Sequence, residues 1–595
     1  MQGPIEVPPH LRKYVVRQNY DEYTVQDQAV WRFVLLQTYA RLLRTAHPSY
    51  ASGFEAVGIS VERIPNIAEM NERLAHSAFQ TVCVDGFIPP RAFQAFQARG
   101  VLPIAADIRD SSHLAYTPAP DIIHEAAGHA PFLADAEYAR YLRRIGAVGE
   151  KAFSNAHDRS VYEAIYLLSE LKENPASTAQ QIARAEAEVK RLAAEPAAPS
   201  EAALVARLYW WTVEYGLVGT PQEYRLYGAG LLSSLGEGHF CHEPDVRKLP
   251  LDAHCIDVAY DITRPQPQLF VARNFEQLDL VLEDVARTLA HRVGGELALS
   301  RARDSGEPAC LDLATGTQLA GVVQTLHGPA SSPDVIELSG PCCVALNNQV
   351  LAGWPRTDRY VLPLGVLDDG TSLSAIGPEH LQRHCDASRV LRLKLRSGVR
   401  IAGQLIGSSE SAGRVALVLL RDCTIEHAGQ VLLRATSPYP LVLAERVVSA
   451  QAELPLGYHA PTAFADVQVP KSRSFAPEQR EIIALYEQAL SALRGSFGSQ
   501  VVPHFEAIHR SLGERYPEEW LLRWNLLESL IKLGERGALA ATLEAELDRL
   551  EIRFAHREPI ATGLAYLRGV GSGVSARRDS QPPLLHAPDK QGGRV

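Results

Sequence analysis

The chain has 595 residues, too many for one core and enough for two to four domains of ordinary size. Apolar residues make up 46% and charged residues 22%, the balance of a soluble globular protein rather than a fibrous or disordered one. With 59 basic residues against 69 acidic ones, a net charge of −10 and no long basic run, a nucleic-acid partner is not expected.

The opening MQGPIEVPPHLRKYVV has no continuous apolar stretch of the signal-peptide kind, and no run of about 18 apolar residues follows anywhere, so neither a membrane partner nor a leader is expected and the setting reads as cytoplasmic. Eight cysteines are scattered without CxxC spacing, Cys342 and Cys343 being adjacent. That pattern suits reduced, mostly buried thiols.

From about residue 24 to residue 290 the periodicity predicts helices. YTVQDQAVWRFVLLQTYARLL opens behind Thr24 as N-cap, and further helices are expected around 65–76, 90–98, 120–145, 160–194 and 201–216, with 192–203 as a loop. Beyond about 295 the pattern changes to short alternating runs, and LATGTQLAGVV (313–323) is echoed by LRSGVRIAGQL (395–405). Each reads as strand, glycine turn, strand, which predicts a β-rich module over 300–455 built as a small barrel or two related sheets. Their glycines lack the lysine and following helix that a phosphate cradle needs. Helical periodicity returns over 470–565, read as a small bundle, and 570–595 is expected to be a disordered tail. No titratable cluster with metal or catalytic spacing is read in residues 300–560, so that half is given no role, although it is open to oligomerisation.

The chemistry concentrates in YTPAPDIIHEAAGHAP (116–131), where His124 and His129 stand five residues apart and Glu125 follows the first. A zinc peptidase helix spaces its histidines by four, about 40° apart in projection. Five residues correspond to about 140° on a regular helix, so a shared ion requires the backbone to depart from ideal geometry near Gly128, ahead of Pro131. A third ligand must come from elsewhere. Glu214 is the best candidate, a lone acid in the aromatic and apolar LYWWTVEYGL, where a buried carboxylate needs a cation or hydrogen-bonded partner. Two histidines and one carboxylate with open positions suit Fe(II) oxygen chemistry.

With DGFIPPRAF (85–93), ADIRD (106–110) and YGAGLLSSLGE (227–237), these blocks resemble, in order, the iron- and tetrahydropterin-dependent aromatic amino acid hydroxylases, most nearly the bacterial phenylalanine 4-monooxygenases. The resemblance covers about residues 10–290. It implies a mainly α catalytic domain over 1–295, ahead of the β-rich module and the helical C-terminal region, and a monooxygenase using Fe(II), O2 and tetrahydrobiopterin on an aromatic amino acid.

It further implies iron at His124, His129 and Glu214. Arg109 would meet the substrate carboxylate, helped by Thr117 and Ser233, and Pro120, Trp210 and Gly230 would line the ring slot. Phe93 would lie against the pterin, with Gly86 and Ile88 at its edge and Glu125 and Tyr209 on its polar side. Ala119 and Tyr215 depart from commoner family residues, and His239, Cys241 and His242 crowd the last block.

Phenylalanine is the expected substrate, because Ile262 puts an apolar side chain where a tyrosine-using member would carry an acid; tryptophan and tyrosine stay open. The bland readings are satisfied helix histidines, Glu214 paired with an arginine, and Arg109 on Asp107 or Asp110. Two rivals are a zinc hydrolase with Glu125 as general base and a binding protein whose active part is the C-terminal half.

Overall fold

The computed structural model describes residues 7–86, 88–111, 114, 121–173, 177–195, 197–262, 264–411, 413–459, 475–495, 498–553 and 557–571. The expected tail from 570 falls almost wholly outside the described residues.

The long helix Val25–Thr45 is the axis of the first half. Thr24 accepts from the Asp27 N–H at 3.1 Å while Asp27 accepts from the Thr24 N–H at 2.8 Å, so the two satisfy each other at the helix start. Most of the first three turns is buried, including Ala29, Val30, Trp31, Phe33, Val34 and Leu35, as is fitting for a helix enclosed by other elements.

Around it lie two small sheets. One is formed by β1 (Val15–Val16), β2 (Gln80–Val84) and β3 (Val101–Ala105), the other by β4 (Leu217–Gly219), β5 (Tyr224–Leu226), β6 (Arg247–Pro250) and β7 (Gln268–Ala272), in the order β5-β4-β7-β6.

Two expected helices are broken in the structure. The run over 120–145 becomes a π-helical segment Ile123–His129, a 3-10 stretch Ala130–Ala134 containing Pro131, and a regular helix Ala136–Lys151 capped by Asp135. Proline has no N–H to continue an i→i−4 ladder, and Asp135 starts a new one by accepting from Glu137 and Tyr138. The run over 160–194 is two helices, Ala156–Glu173 and Ala179–Ala194, the second begun by a Thr178–Gln181 capping box.

The β module contains two copies of one meander. The first has β8 (Pro308–Leu313), β9 (Thr317–His327), β10 (Val335–Leu346), β11 (Gln349–Val350) and β12 (Thr357–Pro363). The second has β13 (Val390–Lys394), β14 (Arg400–Ser411), β15 (Arg414–His427), β16 (Gln430–Ala435) and β17 (Tyr439–Val442), and β18 (Val447–Gln451) returns to β8. In each, the third strand carries the second on one side and both the fourth and the fifth on the other.

The two sequence repeats are the opening hairpins. Gly316 and Gly398 take φ of +80° and +85°, and each donates its N–H back three residues, to Leu313 and Leu395, at 2.9 Å. The copies share one core and exchange bonds reciprocally: Tyr360 Oη accepts from the Val442 N–H at 3.0 Å, and Tyr439 Oη from the Val361 N–H at 2.8 Å.

The domain limits read from sequence do not coincide with separate cores. Helix Gly295–Ser305 and Phe153 pack into the β-module core, and the helices Pro477–Gly495, Val502–Arg515, Trp520–Leu533, Ala538–Arg553 and Arg557–Gly571 share the core of the first 295 residues. Phe33 meets Trp524 and Trp520 edge-on at 4.8 and 5.1 Å. Beside them Arg32 and Glu528, each 2% exposed, form a two-bond ion pair at 3.0 and 3.1 Å. Among the described residues no helix is long and apolar enough to cross a membrane.

Candidate metal centre and substrate slot

The two segments that carry His124, His129 and Glu214 share an unusual local geometry. In Ile123–His129 the i→i+5 bonding of a π-helix widens the turn, so that side chains five residues apart stand on one face. Glu214 ends a second π turn, Trp210–Glu214, in which the Tyr215 N–H reaches back to the Trp210 carbonyl at 2.9 Å. Glycine permits the close packing behind both. A Cβ on Gly128 would lie 2.8 Å from the Ala229 carbonyl oxygen, and one on Gly228 would lie 2.4 Å from that of Glu214.

The result is convergence. The Nε2 atoms of His124 and His129 are 3.2 Å apart, and Glu214 straddles them with Oε2 at 3.2 Å from His124 and Oε1 at 3.2 Å from His129. Two imidazoles at right angles on an ion with bonds of about 2.1 Å would be about 3.0 Å apart, so the donor set fits one face of an octahedral cation.

Burial alone would lower the His124 imidazole, yet the adjoining Glu214 carboxylate raises it to about 9; burial would likewise raise Glu214, and the two histidines bring it well below the usual carboxylate range. Such a carboxylate stays ionised at neutral pH, ready for a cation.

Behind His124, Nδ1 lies 3.0 Å from the Ser233 hydroxyl, which itself donates to the Ala229 carbonyl at 2.8 Å. Ser233 therefore accepts from Nδ1–H and directs the Nε2 lone pair inward. Expected on the substrate carboxylate, Ser233 is 3% exposed and stands behind the His124 ring.

Arg109 is also buried, and its partner is neither Asp107 nor Asp110: Nε and Nη2 bond to the two oxygens of Asp121 at 2.8 and 2.7 Å. Asp121 in turn accepts from the His124 N–H at 3.0 Å, tying the arginine to the start of the ligand helix. Thr117 and Pro120 lie outside the described residues.

Trp210 is sandwiched between Tyr215, at 4.7 Å and 29°, and Tyr260, at 4.2 Å and 10°. Gly230 faces this stack, since a Cβ there would lie 3.0 Å from the Tyr215 ring. The sequence reading missed Tyr260. Its signal was the AYDITRP segment, from which Ile262 was expected at the ring; Ile262 is 38% exposed, and Tyr260 is the residue that joins the stack.

Of the residues expected at the pterin, Ile88 is buried in a small cluster against which Phe93 packs, and Gly86 turns the chain ahead of them with φ of +61°. Phe93 meets Tyr209 edge-on at 6.2 Å, and Gln97 donates to the Tyr209 hydroxyl at 2.7 Å. Glu125 is 3% exposed with Oε2 3.8 Å from His129 Nε2, and burial pushes its carboxyl up. Among the described residues Glu125 Oε2 and Gln97 Oε1 are buried without a hydrogen-bond partner.

The His239–Cys241–His242 group does not form a ligand set. Cys241 is buried with its thiol on the Gly238 carbonyl, and His242 Nδ1 lies 3.1 Å from the Tyr224 hydroxyl. All eight cysteines are unpaired and seven of them buried.

Residues 14–165 and 175–295 match the model of the biopterin-dependent aromatic amino acid hydroxylases. The phenylalanine-4-hydroxylase of Chromobacterium violaceum is 29% identical over 269 residues, 44% of this chain and 75% of that one. That of Pseudomonas aeruginosa is 29% identical over 287 residues, 47% of this chain and 92% of that one. A crystal structure of the Chromobacterium violaceum enzyme with bound iron(III) and 7,8-dihydrobiopterin aligns with a TM-score of 0.37 at 26% identity, over 46% of this chain and 85% of that one.

Proposed function

We propose, from the match of residues 14–165 and 175–295 to the biopterin-dependent aromatic amino acid hydroxylases, that this part of the chain hydroxylates L-phenylalanine to L-tyrosine, using Fe(II), O2 and a tetrahydropterin. The observation that carries the reading is the convergence of His124, His129 and Glu214 within 3.2 Å contacts from two π turns.

When bound, Fe(II) would activate O2 and the tetrahydropterin would supply two electrons to it, so that one oxygen atom enters the ring and the other is reduced. The chain positions and excludes. Ser233 fixes the His124 ring so that Nε2 faces the ion, and Glu214 supplies charge to a divalent cation.

Asp121 occupies the Nε–Nη2 side of Arg109 and holds it beside the start of the helix that carries His124, which leaves the Nη1–Nη2 edge as the one that would meet a substrate carboxylate. Trp210, stiffened by Tyr215 and Tyr260, forms a rigid wall for an aromatic ring and keeps water from the reacting carbon. Phe93 and Tyr209 offer ring faces for a pterin. The unpartnered Glu125 and Gln97 oxygens suit the N–H edge of such a heterocycle, which would relieve the cost of leaving them buried and unsatisfied. Phenylalanine is preferred because Trp210, Tyr215 and Tyr260 make this wall aromatic and the buried acid beside it, Glu237, is already engaged by the Tyr215 hydroxyl, although an apolar wall rejects one hydroxyl by only about 10²-fold.

The test is anaerobic Fe(II) loading followed by tetrahydropterin and O2 with each aromatic amino acid in turn. Tyrosine formed from phenylalanine and lost in His124→Ala is the expected result. No hydroxylated product from any of the three, with iron bound, overturns the reading.

A further inference from the structure

We infer that the connection between the two copies of the β meander carries a binding site for a late first-row divalent cation of the zinc class, made by Asp369, His380 and His384. One ligand atom from each residue lies within 4.8 Å of the others. The region was expected to hold no cluster with metal spacing, so this group is a correction to that reading. Its local signal is PEHLQRHC, in which two histidines stand four apart.

The two imidazoles come from one helical turn. Helix Pro378–Arg383 begins with proline at its first position and ends with His384 as C-cap. Residues four apart project about 40° from each other, and the rings lie face to face at 5.2 Å and 15°. Both ends of the helix are held: Val415 donates to the Ile376 carbonyl at 2.8 Å just before it, and Arg392 in β13 donates to the His384 carbonyl at 2.9 Å.

Asp369 comes from a separately closed turn. Leu367 and Thr371 are joined by a 2.8 Å backbone bond, and Asp369 Oδ1 accepts from the Thr371 N–H at 2.8 Å. Its other oxygen, Oδ2, lies 3.4 Å from His380 Nε2. Two ligands on a tetrahedral ion with bonds of 2.0–2.1 Å are about 3.3 Å apart, so turn and helix already stand at ligating separation.

The donor types choose the ion. Calcium and magnesium take all-oxygen shells, whereas imidazole with one carboxylate suits zinc, nickel or copper. The neighbouring thiol does not enter the set, because Cys385 Sγ lies 3.6 Å from the Leu381 carbonyl. The Asp369 side chain is 51% exposed and that of His380 19%, which leaves the fourth position to water. A bound cation there would cross-link the turn 367–371 to the helix 378–383. This site stands apart from the proposed hydroxylase reading and fails or holds independently of it.

The test uses the full chain without an affinity tag, iron-loaded, titrated with Zn2+ against a chromogenic competitor. The parent is expected to take one more equivalent of Zn2+, with micromolar or tighter affinity, than the double variant His380→Ala/His384→Ala. That variant should keep the parent's circular dichroism and iron content. Asp369→Asn should weaken the extra site by at least about 10-fold. Substituting Cu2+ should give electron paramagnetic resonance with nitrogen hyperfine splitting in the parent, absent from the double variant. Equal zinc stoichiometry in parent and double variant, or an extra equivalent bound only at millimolar Zn2+, overturns the proposal.

Discussion

Among the described residues two clusters hold two histidines and a carboxylate, and they are built in opposite ways. His124, His129 and Glu214 are drawn together in the interior from segments about ninety residues apart, on π turns packed against glycines, with Ser233 fixing one ring from behind. His380, His384 and Asp369 lie within one surface excursion, on an ordinary helical turn, with one carboxylate half in solvent. The difference teaches what burial adds. A largely enclosed carboxylate with two imidazoles against it has little water to fall back on, so a cation bound there would be coupled to its charge state and to the fold. A surface cluster can bind an ion while the fold remains indifferent to it.

That contrast can be broken most sharply at Glu214. A partner behind a ligand is worth about 10–100-fold, so Glu214→Ala should cost more than 100-fold in tyrosine formation and remove iron with it. Near-normal turnover with normal iron content in that variant would put the ligand set elsewhere.

Next is the buried ion pair joining the C-terminal helices to the helix Val25–Thr45. Arg32→Ala leaves Glu528 buried with Lys532 alone, at 2.9 Å, and should destabilise the chain by about 3–5 kcal/mol, read from denaturant unfolding followed in both halves. If the C-terminal helices melted away while the remainder kept its midpoint, the shared core would not be a cooperative one.

Glu237 gives a pH signature. Burial raises its carboxyl from the ordinary range to about 7, while the Tyr215 hydroxyl works in the other direction. The folded protein therefore holds this proton more tightly than the unfolded chain, and the stability that the proton supplies is present below about pH 4.5 and lost as pH rises through 7. The loss should amount to about 3 kcal/mol. Glu237→Gln should abolish it. Unfolding midpoints at pH 5 and pH 8 that fall equally in parent and variant would assign the dependence to other groups.

The smallest of the four is Ser233→Ala, which should lower iron affinity or activity by about 10–100-fold with the unfolding midpoint little changed. Unaltered iron affinity and turnover would mean that the His124 ring is held by its packing alone.

The i+5 spacing of His124 and His129 already demanded a non-ideal helix, and the π segment meets that demand because its i→i+5 bonding widens the turn and brings residues five apart closer to one face. The paired glycine turns of 313–323 and 395–405 were legible for a similar reason, a left-handed residue at a fixed place in a hairpin. Tyr260 and Asp121 were not legible as partners of Trp210 and Arg109, since nothing local to either segment says which distant one will face it. The His380–His384 spacing was present in the letters. Only the turn that brings Asp369 alongside makes it a third donor.

By itself, then, the sequence determined the features that depend on neighbours along the chain: the Thr24 helix cap, the non-ideal turn that carries His124 and His129, the doubled hairpin and the candidate ligand Glu214 as a lone acid among aromatics. The tertiary structure alone decided that Ser233 stands behind a ligand, that Arg109 is held by Asp121, and that the C-terminal helices complete the first core instead of forming their own. The physical reason is range. Backbone geometry is set within a few residues, whereas burial and pairing are settled by which apolar faces close on one another across hundreds.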